Sequence, residues 1–349
     1  MAVTNTTRIG GIMTNIVNHQ ITLAGRPVGL PKSSDWELAE APVPDLEDGQ
    51  VLVKVHYISV DPAMRGWMND RDTYVPALKL GDVMRAFTVG EVIASQNSAF
   101  AAGDLVAGID GVQEYAVSDG SFLMKADTSL APLTAYLNTL GIAGLTAYCG
   151  LIEVGAPKEG ETIVVSGAAG SVGAHVGQIA KIKGCRAVGI AGGPKKCAFL
   201  TDELGFDAAI DYKNEDINAG LARTCPDGID VFFDNVGGEV LDAALAIINF
   251  HARVVICGAI SQYNNTTPVV GPSNYLNLLI RSGRMEGYIY FNWRAQWPSM
   301  IEQLAKWRAD GDLKCPDDIV EGGVGAFPDT LLRLFSGENF GKLMIKVAD

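Results

Sequence analysis

Apolar residues along this chain follow two rhythms, and the change between them near residue 130 divides it. From Gln50 the run VLVKVHYISV is strand-like and stops at Asp61 and Pro62. Shorter β-type pieces follow at 89–93, 105–107 and 115–117, separated by Gly and Asp turns. This spacing predicts an all-β region of Greek-key or barrel type. Residues 1–12 are polar and patternless, and are expected to form a tail.

From about Pro132 helical and strand patterns alternate. The expected elements are a helical stretch at 132–154, strand 163–165, helix 172–183, strand 187–191, helix 195–204 and strand 208–210. Strands at 231–233, 253–257 and 285–290 follow, with a helix at 239–249. Such alternation requires a parallel sheet covered on both faces. Beyond Trp293 the pattern predicts a helix at 297–309, a helix opening at Pro328 and Asp329, and a last strand at 342–347. That tail is too small for a domain and is expected to complete the first one. The fold class is therefore α/β. A doubly wound Rossmann domain is expected over 131–295, and a β-rich domain over 1–130 and 296–349.

The stretch 163–183, IVVSGAAGSVGAHVGQIAKIK, reads as strand, tight turn and helix. Its turn spells A-x-G-x-x-G over 168–173, a dinucleotide fingerprint with alanine in the first glycine position. Gly170 would let backbone approach a pyrophosphate, Ser171 and Val172 would open the helix whose N–H groups face it, and Gly173 would let helix and strand pack closely. Close packing alone also accounts for such glycines. The next strand pattern ends at Gly192 and Gly193 with no Asp or Glu, and Pro194, Lys195 and Lys196 follow. The carboxylate that would repel a 2′-phosphate is missing, and ammonium groups stand where they could pair with one. The plainer reading of those lysines is a solvated helix face.

Composition narrows the partners. The chain has 349 residues, 48% hydrophobic and 19% charged, enough for two domains with proper cores. A net charge of −13 argues against nucleic acid or an anionic membrane surface, so local lysines must do any phosphate binding. No apolar signal core opens the sequence, and the uncharged run 129–152 is broken by Pro132, Asn138, Thr139 and glycines, so neither a signal peptide nor a membrane helix is expected. Six cysteines without a C-x-x-C pair suit reduced thiols in a cytoplasmic protein. Four scattered histidines form no set of metal ligands, so no zinc site is expected. His175, on the cofactor helix, reads as a surface or packing residue.

Seven segments in order resemble the medium-chain dehydrogenase/reductase superfamily: SVDPAMRG at 59–66, GLTAYCGL at 144–151, VSGAAGSVGAHVGQIAK at 165–181, FDNVGGE at 233–239, CGAISQYN at 257–264, RMEGYIY at 284–290 and ENFGK at 338–342. Within it the chain resembles the zinc-free branch of NADPH-dependent alkenal double-bond reductases, over nearly all of 14–349. The resemblance implies a GroES-like barrel for the β-rich domain and NADPH/NADP+ as cofactor, with no metal. It implies Gly170 to Gly173 on the pyrophosphate, Lys196 and Tyr212 on the 2′-phosphate, and Gly193 among the cofactor-binding residues. Asn235 would lie outside the strand ends. Cys257, Gly258, Ala259, Ile260, Ser261 and Tyr263 would line the nicotinamide ribose, and Tyr288, Ile289, Tyr290 and Asn339 would complete the site. Read as residues alone, Tyr212 could be a packing tyrosine, Asn235 a turn cap and Cys257 a core thiol. A homodimer through the edge of the nucleotide-domain sheet is implied as well.

The implied reaction delivers hydride to the β-carbon of a small-molecule substrate, an α,β-unsaturated ketone or aldehyde, and the resulting enolate is protonated at its α-carbon. A phenol suits stabilisation of the developing oxyanion, and Tyr263 is the main candidate, acting with the ribose hydroxyl; water is a candidate proton source. Tyr74, in RDTYVP, is a second catalytic candidate, for substrate placement. Many relatives carry a tyrosine where this chain has Ala63, which implies a wider substrate pocket lined by Ala63, Tyr74 and Tyr263. Two alternatives stay open from the sequence: a quinone or carbonyl/alcohol oxidoreductase, and a non-catalytic NADPH-binding protein.

Overall fold

The computed structural model describes residues 16–347, so the expected tail at 1–12 lies outside the described residues. Two compact units divide the chain. One runs through Leu137 and also holds Ile319–Ser336 and the chain from Leu343; the other holds Asn138–Asp318 and Gly337–Lys342. The helix Trp297–Ala309 thus groups with the second unit, where the boundary expected at 296 assigned it to the first. Its buried residues Met300, Leu304 and Trp307 explain this: Trp307 stacks on Tyr148 at 5.9 Å, and Met300 Sδ lies 3.7 Å from Cys149 Sγ.

The second unit is built on six strands: β1 Thr162–Ser166, β2 Arg186–Ala191, β3 Ala208–Asp211, β4 Ile229–Asp234, β5 Ile248–Ile256 and β6 Arg284–Gly287. They lie in the order β3-β2-β1-β4-β5-β6, and all neighbouring pairs are parallel. This is the Rossmann order, in which successive strands step outward from β1 in one direction and then from β4 in the other. Helices cover both faces, so the strands carry near-continuous apolar runs, and Val164, Val188, Ile190, Phe232 and Val254 share one buried cluster. The strand order reverses between β1 and β4. The glycine turn after β1 and Asn235 after β4 both emerge there.

Several expected elements are reshaped. The helical stretch at 132–154 is broken into a tight turn at Leu133–Tyr136, a helix at Ile142–Tyr148 and wider helical turns at Cys149–Gly155. Before the helix the chain doubles back on it, with Gly144 N donating to Asn138 O at 3.0 Å, and glycine is needed there because a Cβ on Gly144 would sit 1.9 Å from Thr139 O. The helix expected at 195–204 starts at Pro194 and widens at Phe199–Glu203. A helix at Ile217–Thr224 was not expected, because Asn218, Gly220 and Thr224 weaken its pattern; Asp216 caps it by accepting from Ala219 N at 2.9 Å.

The first unit holds a hairpin, Val17–Leu23 with Trp36–Pro42, and a sheet in the order Asp317–Val320, Lys342–Lys346, Val51–Ser59, Thr88–Ser95, Leu105–Gly108, Met124–Lys125. Tyr115–Ser118 pairs with Val51–Ser59 off that path. The C-terminal return closes its core. Phe327 meets Trp36 edge to face at 5.8 Å, and Leu331, Leu343 and Ile345 join Ile21, Val55 and Ile58 in one cluster.

Candidate dinucleotide site

The glycine turn is tight for identifiable reasons. Gly167 holds φ at 59°, a left-handed conformation that favours glycine, and its carbonyl accepts from Gly170 N at 3.0 Å. Gly170 then caps the helix Ser171–Ile182, which contains Ser171, Val172 and Gly173. A Cβ on Gly173 would lie 2.5 Å from Gly167 O and 2.7 Å from Ala168 Cα, so only hydrogen fits between helix and turn. The end of the chain runs alongside: Gly341 N donates to Ala169 O at 3.0 Å, and Asn339 folds over with Nδ2 3.4 Å from Gly341 O. His175, expected as a surface or packing residue, is buried packing. Its ring spans Ser171 O at 2.6 Å and Thr139 Oγ1 at 3.0 Å, and burial holds its pKa down at about 4, so it is a neutral strut under the first helical turn.

Beyond β2 the chain turns at Gly192 and Gly193. Gly193 has φ 93°, and its N–H donates to Asp211 Oδ1 at 2.7 Å. Lys196, one turn on, reaches the C-terminal return, where its Nζ donates to Gly337 O at 2.9 Å and sits 5.3 Å from the centre of the Phe340 ring. Burial and then Lys213 lower its pKa. Tyr212 is half exposed, with its hydroxyl 2.9 Å from where a Cβ on Gly192 would lie and 3.9 Å from one on Gly337. The structure therefore brings Gly193, Lys196 and Tyr212 together in one cradle, with the Tyr212 hydroxyl packed over Gly192. Asp211 and Gly337 were missed: a carboxylate bound to backbone and a contact 141 residues distant leave no local pattern.

A second group gathers at the ends of β4 and β5. Ser166 Oγ donates to Asp234 Oδ1 at 2.7 Å and accepts from Asn235 N at 2.8 Å, while Asn235 Nδ2 donates to Ser166 O at 2.7 Å. Asp234 also accepts from the N–H groups of Val236 and Gly237; burial still raises its pKa. The backbone carbonyls of Asp234, Asn235 and Val236 in turn receive the N–H groups of Cys257, Gly258, Ile260 and Ser261. The two loops are thus one hydrogen-bonded body. Tyr263 closes it: its hydroxyl oxygen accepts from Ala259 N at 3.1 Å. The pair Ser166 and Asp234 escaped sequence reasoning, although a serine ending β1 and an aspartate ending β4 were visible.

Tyr288 and Tyr290 are buried, with Ile289 between them partly exposed. Tyr288 donates to Thr146 O at 2.7 Å and packs edge-on against Phe233, and Tyr290 stacks on Trp297 at 5.1 Å. Cys257 beside Tyr288 has its thiol pushed up to about 12 by burial, so it is a neutral packing group rather than a nucleophile.

In the β-rich unit Ala63 opens the short helix Ala63–Trp67, after Asp61, which Ser59 Oγ contacts. Ala63 packs against that unit's core and shares a helix face with Trp67. The Trp67 indole N–H donates to Tyr74 Oη at 3.3 Å. Ala63, Trp67 and Tyr74 therefore form one neighbourhood. Among the described residues, no group of three or more His, Cys, Asp or Glu side chains could hold a metal ion.

Comparison with known proteins places this geometry. Residues 19–126 match the family described as the N-terminal domain of oxidoreductase, and residues 171–306 the family described as zinc-binding dehydrogenase. A putative NADP-dependent oxidoreductase of Bacillus subtilis is 47% identical over 95% of this chain and 98% of its own. The NADPH-dependent curcumin reductase of Escherichia coli is 40% identical over 95% and 97%. The crystal structure of CurA from Vibrio vulnificus in complex with NADPH is 39% identical, covers 95% of this chain and 99% of its own, and superposes with a TM-score of 0.90. The chain belongs to the medium-chain dehydrogenase/reductase superfamily, in its alkenal reductase branch.

Proposed function

We propose that this protein uses NADPH to reduce the C=C bond of α,β-unsaturated ketones and aldehydes. The observation that carries the reading is the cradle of Gly193, Lys196 and Tyr212. It follows β2 with no carboxylate at the strand end, in a chain 40% identical to an NADPH-dependent curcumin reductase. The Lys196 ammonium and the Tyr212 phenol are donors that suit a dinucleotide phosphate.

Gly170, Ser171, Val172 and Gly173 would hold the pyrophosphate, and Lys196 and Tyr212 the 2′-phosphate. Asn235, the loop from Cys257 to Ser261 and Asn339 would frame the ribose and nicotinamide, and Tyr288, Ile289 and Tyr290 would back that wall by packing. When bound, NADPH supplies the hydride that reaches the β-carbon. The residues then have to receive charge on the carbonyl oxygen. Tyr263 is the proposed donor to it: the Ala259 N–H directed at the phenol oxygen draws density from it and strengthens the O–H as a donor. Ala63 and Tyr74 are proposed to shape the substrate space, a wide one because position 63 carries only a methyl group.

We further propose that the reaction is zinc-independent, that the protein is cytoplasmic with its six cysteines reduced, and that it is a homodimer. The dimer is supported by the open edge of the parallel sheet at β6, where Met285 is exposed and Val270, Leu276, Leu279 and Ile280 leave apolar area in water. Product analysis tests the activity: a saturated carbonyl supports the reading, whereas an allylic alcohol or a hydroquinone would contradict it.

A further inference from the structure

Lys213 follows Tyr212 in the segment DYK, and neither the fingerprint nor the resemblance assigns it a role. Its placement is specific. A Cβ on Gly192 would lie 2.9 Å from Tyr212 Oη and 3.0 Å from Lys213 Cε, so the phenol and the lysine stem close over the same glycine. The same phenol oxygen would lie 3.9 Å from a Cβ on Gly337, whose carbonyl holds Lys196. Lys196 and Lys213 are near enough for the second to lower the pKa of the first, after burial.

The two lysines differ in how they are held. The Lys196 ammonium is half-buried and tied to Gly337 O and the Phe340 ring. Lys213 is exposed, and its ammonium has no hydrogen bond or ion pair among the described residues. The nearby Asp211 carboxylate is taken up by the N–H groups of Gly193 and Lys213 and by Asn214 Nδ2. Two cations stand close together, with Asp211 engaged by its own donors and Asp318 acting on Lys196 less strongly than Lys213 does, an arrangement that a dianion relieves.

We infer that Lys213 is a second ammonium for the 2′-phosphate of the cofactor, closing on it from solvent across the Tyr212 phenol while Lys196 holds it from the interior. Lys213 thereby becomes a specificity-determining residue for NADPH over NADH. The inference rests on the NADPH reading above.

Calorimetric titration of the full chain with adenosine 2′,5′-bisphosphate and with 5′-AMP separates the two. The expected result is that the parent binds the bisphosphate more tightly than 5′-AMP. Lys213→Gln should weaken the bisphosphate about five- to tenfold with a shallower salt dependence, and leave 5′-AMP unchanged. A parent that prefers the bisphosphate and a Lys213→Gln variant with the same preference would overturn the role of Lys213 alone. Equal weakening of both ligands would overturn it too, as a general loss of the site. A parent without preference would remove the NADPH reading and this inference with it.

Discussion

Lys196 Nζ lies 2.9 Å from the carbonyl oxygen of Gly337, 141 residues further along the chain. The lysine offered by the helix after β2 is therefore aimed by the C-terminal return, and the ring of Phe340 fixes it from a second direction. If this fixed ammonium reads the 2′-phosphate, Lys196→Ala removes a charge-assisted contact of about 1.5–3 kcal/mol from NADPH binding and none from NADH. Fluorescence titration with both cofactors checks this; equal losses would take Lys196 out of the phosphate site.

Tyr263→Phe leaves the ring in place and removes both the acceptor for Ala259 N and the proposed donor to the oxyanion. Turnover should fall about 10²-fold with NADPH affinity nearly unchanged. Steady-state kinetics beside cofactor titration read the split, and unchanged turnover would assign the donor role to the ribose hydroxyl.

Gly173→Ala opposes two effects. Alanine favours a helix over glycine by about 1 kcal/mol, but its Cβ would lie 2.5 Å from Gly167 O and 2.7 Å from Ala168 Cα, both backbone. A clash with backbone costs about 1–3 kcal/mol and displaces the turn, so sterics win. Thermal unfolding should shift downward, and NADPH affinity should fall with it. A more stable variant would show that the turn is slack.

His175 carries a pH dependence whose sign is fixed. Burial lowers its pKa from 6.5 to about 4, so between those values the unfolded chain binds a proton that the folded one refuses. The contribution is fully present above pH 6.5 and is lost as pH falls toward 4, by at most about 3 kcal/mol. His175→Gln, which can still bridge Ser171 O and Thr139, should flatten the unfolding midpoint between pH 5 and 7.5. An identical slope in parent and variant would assign the acid sensitivity to another group.

Ala63→Tyr should narrow the substrate space beside Trp67 and Tyr74. Relative turnover of a small alkenal against a bulky aryl enone should then shift toward the small one. The same ratio in parent and variant would separate Ala63 from substrate choice.

The parts of this protein legible from sequence are those that local chemistry specifies. The turn from Gly167 to Gly173 declares itself because glycine at a left-handed φ, a strand before it and a helix after it are all contiguous. The helix Trp297–Ala309 was placed to the residue for the same reason, but its membership of a unit depends on Trp307 meeting Tyr148, and no local pattern carries that. Lys196 could be read as an ammonium near a phosphate site, while its partner Gly337 could not. Likewise the close approach of Thr139 O to Gly144, where the chain doubles back before the helix Ile142–Tyr148, is a fact of the folded chain rather than of its periodicity.

The central claim is tested most directly by following oxidation of NADPH and NADH with a medium-chain 2-alkenal and a bulky aryl enone, with the products identified by NMR. The account predicts the saturated carbonyl from both acceptors, formed faster with NADPH. Cofactor oxidation that leaves the C=C bond intact, or a rate with NADH that matches NADPH, would contradict it.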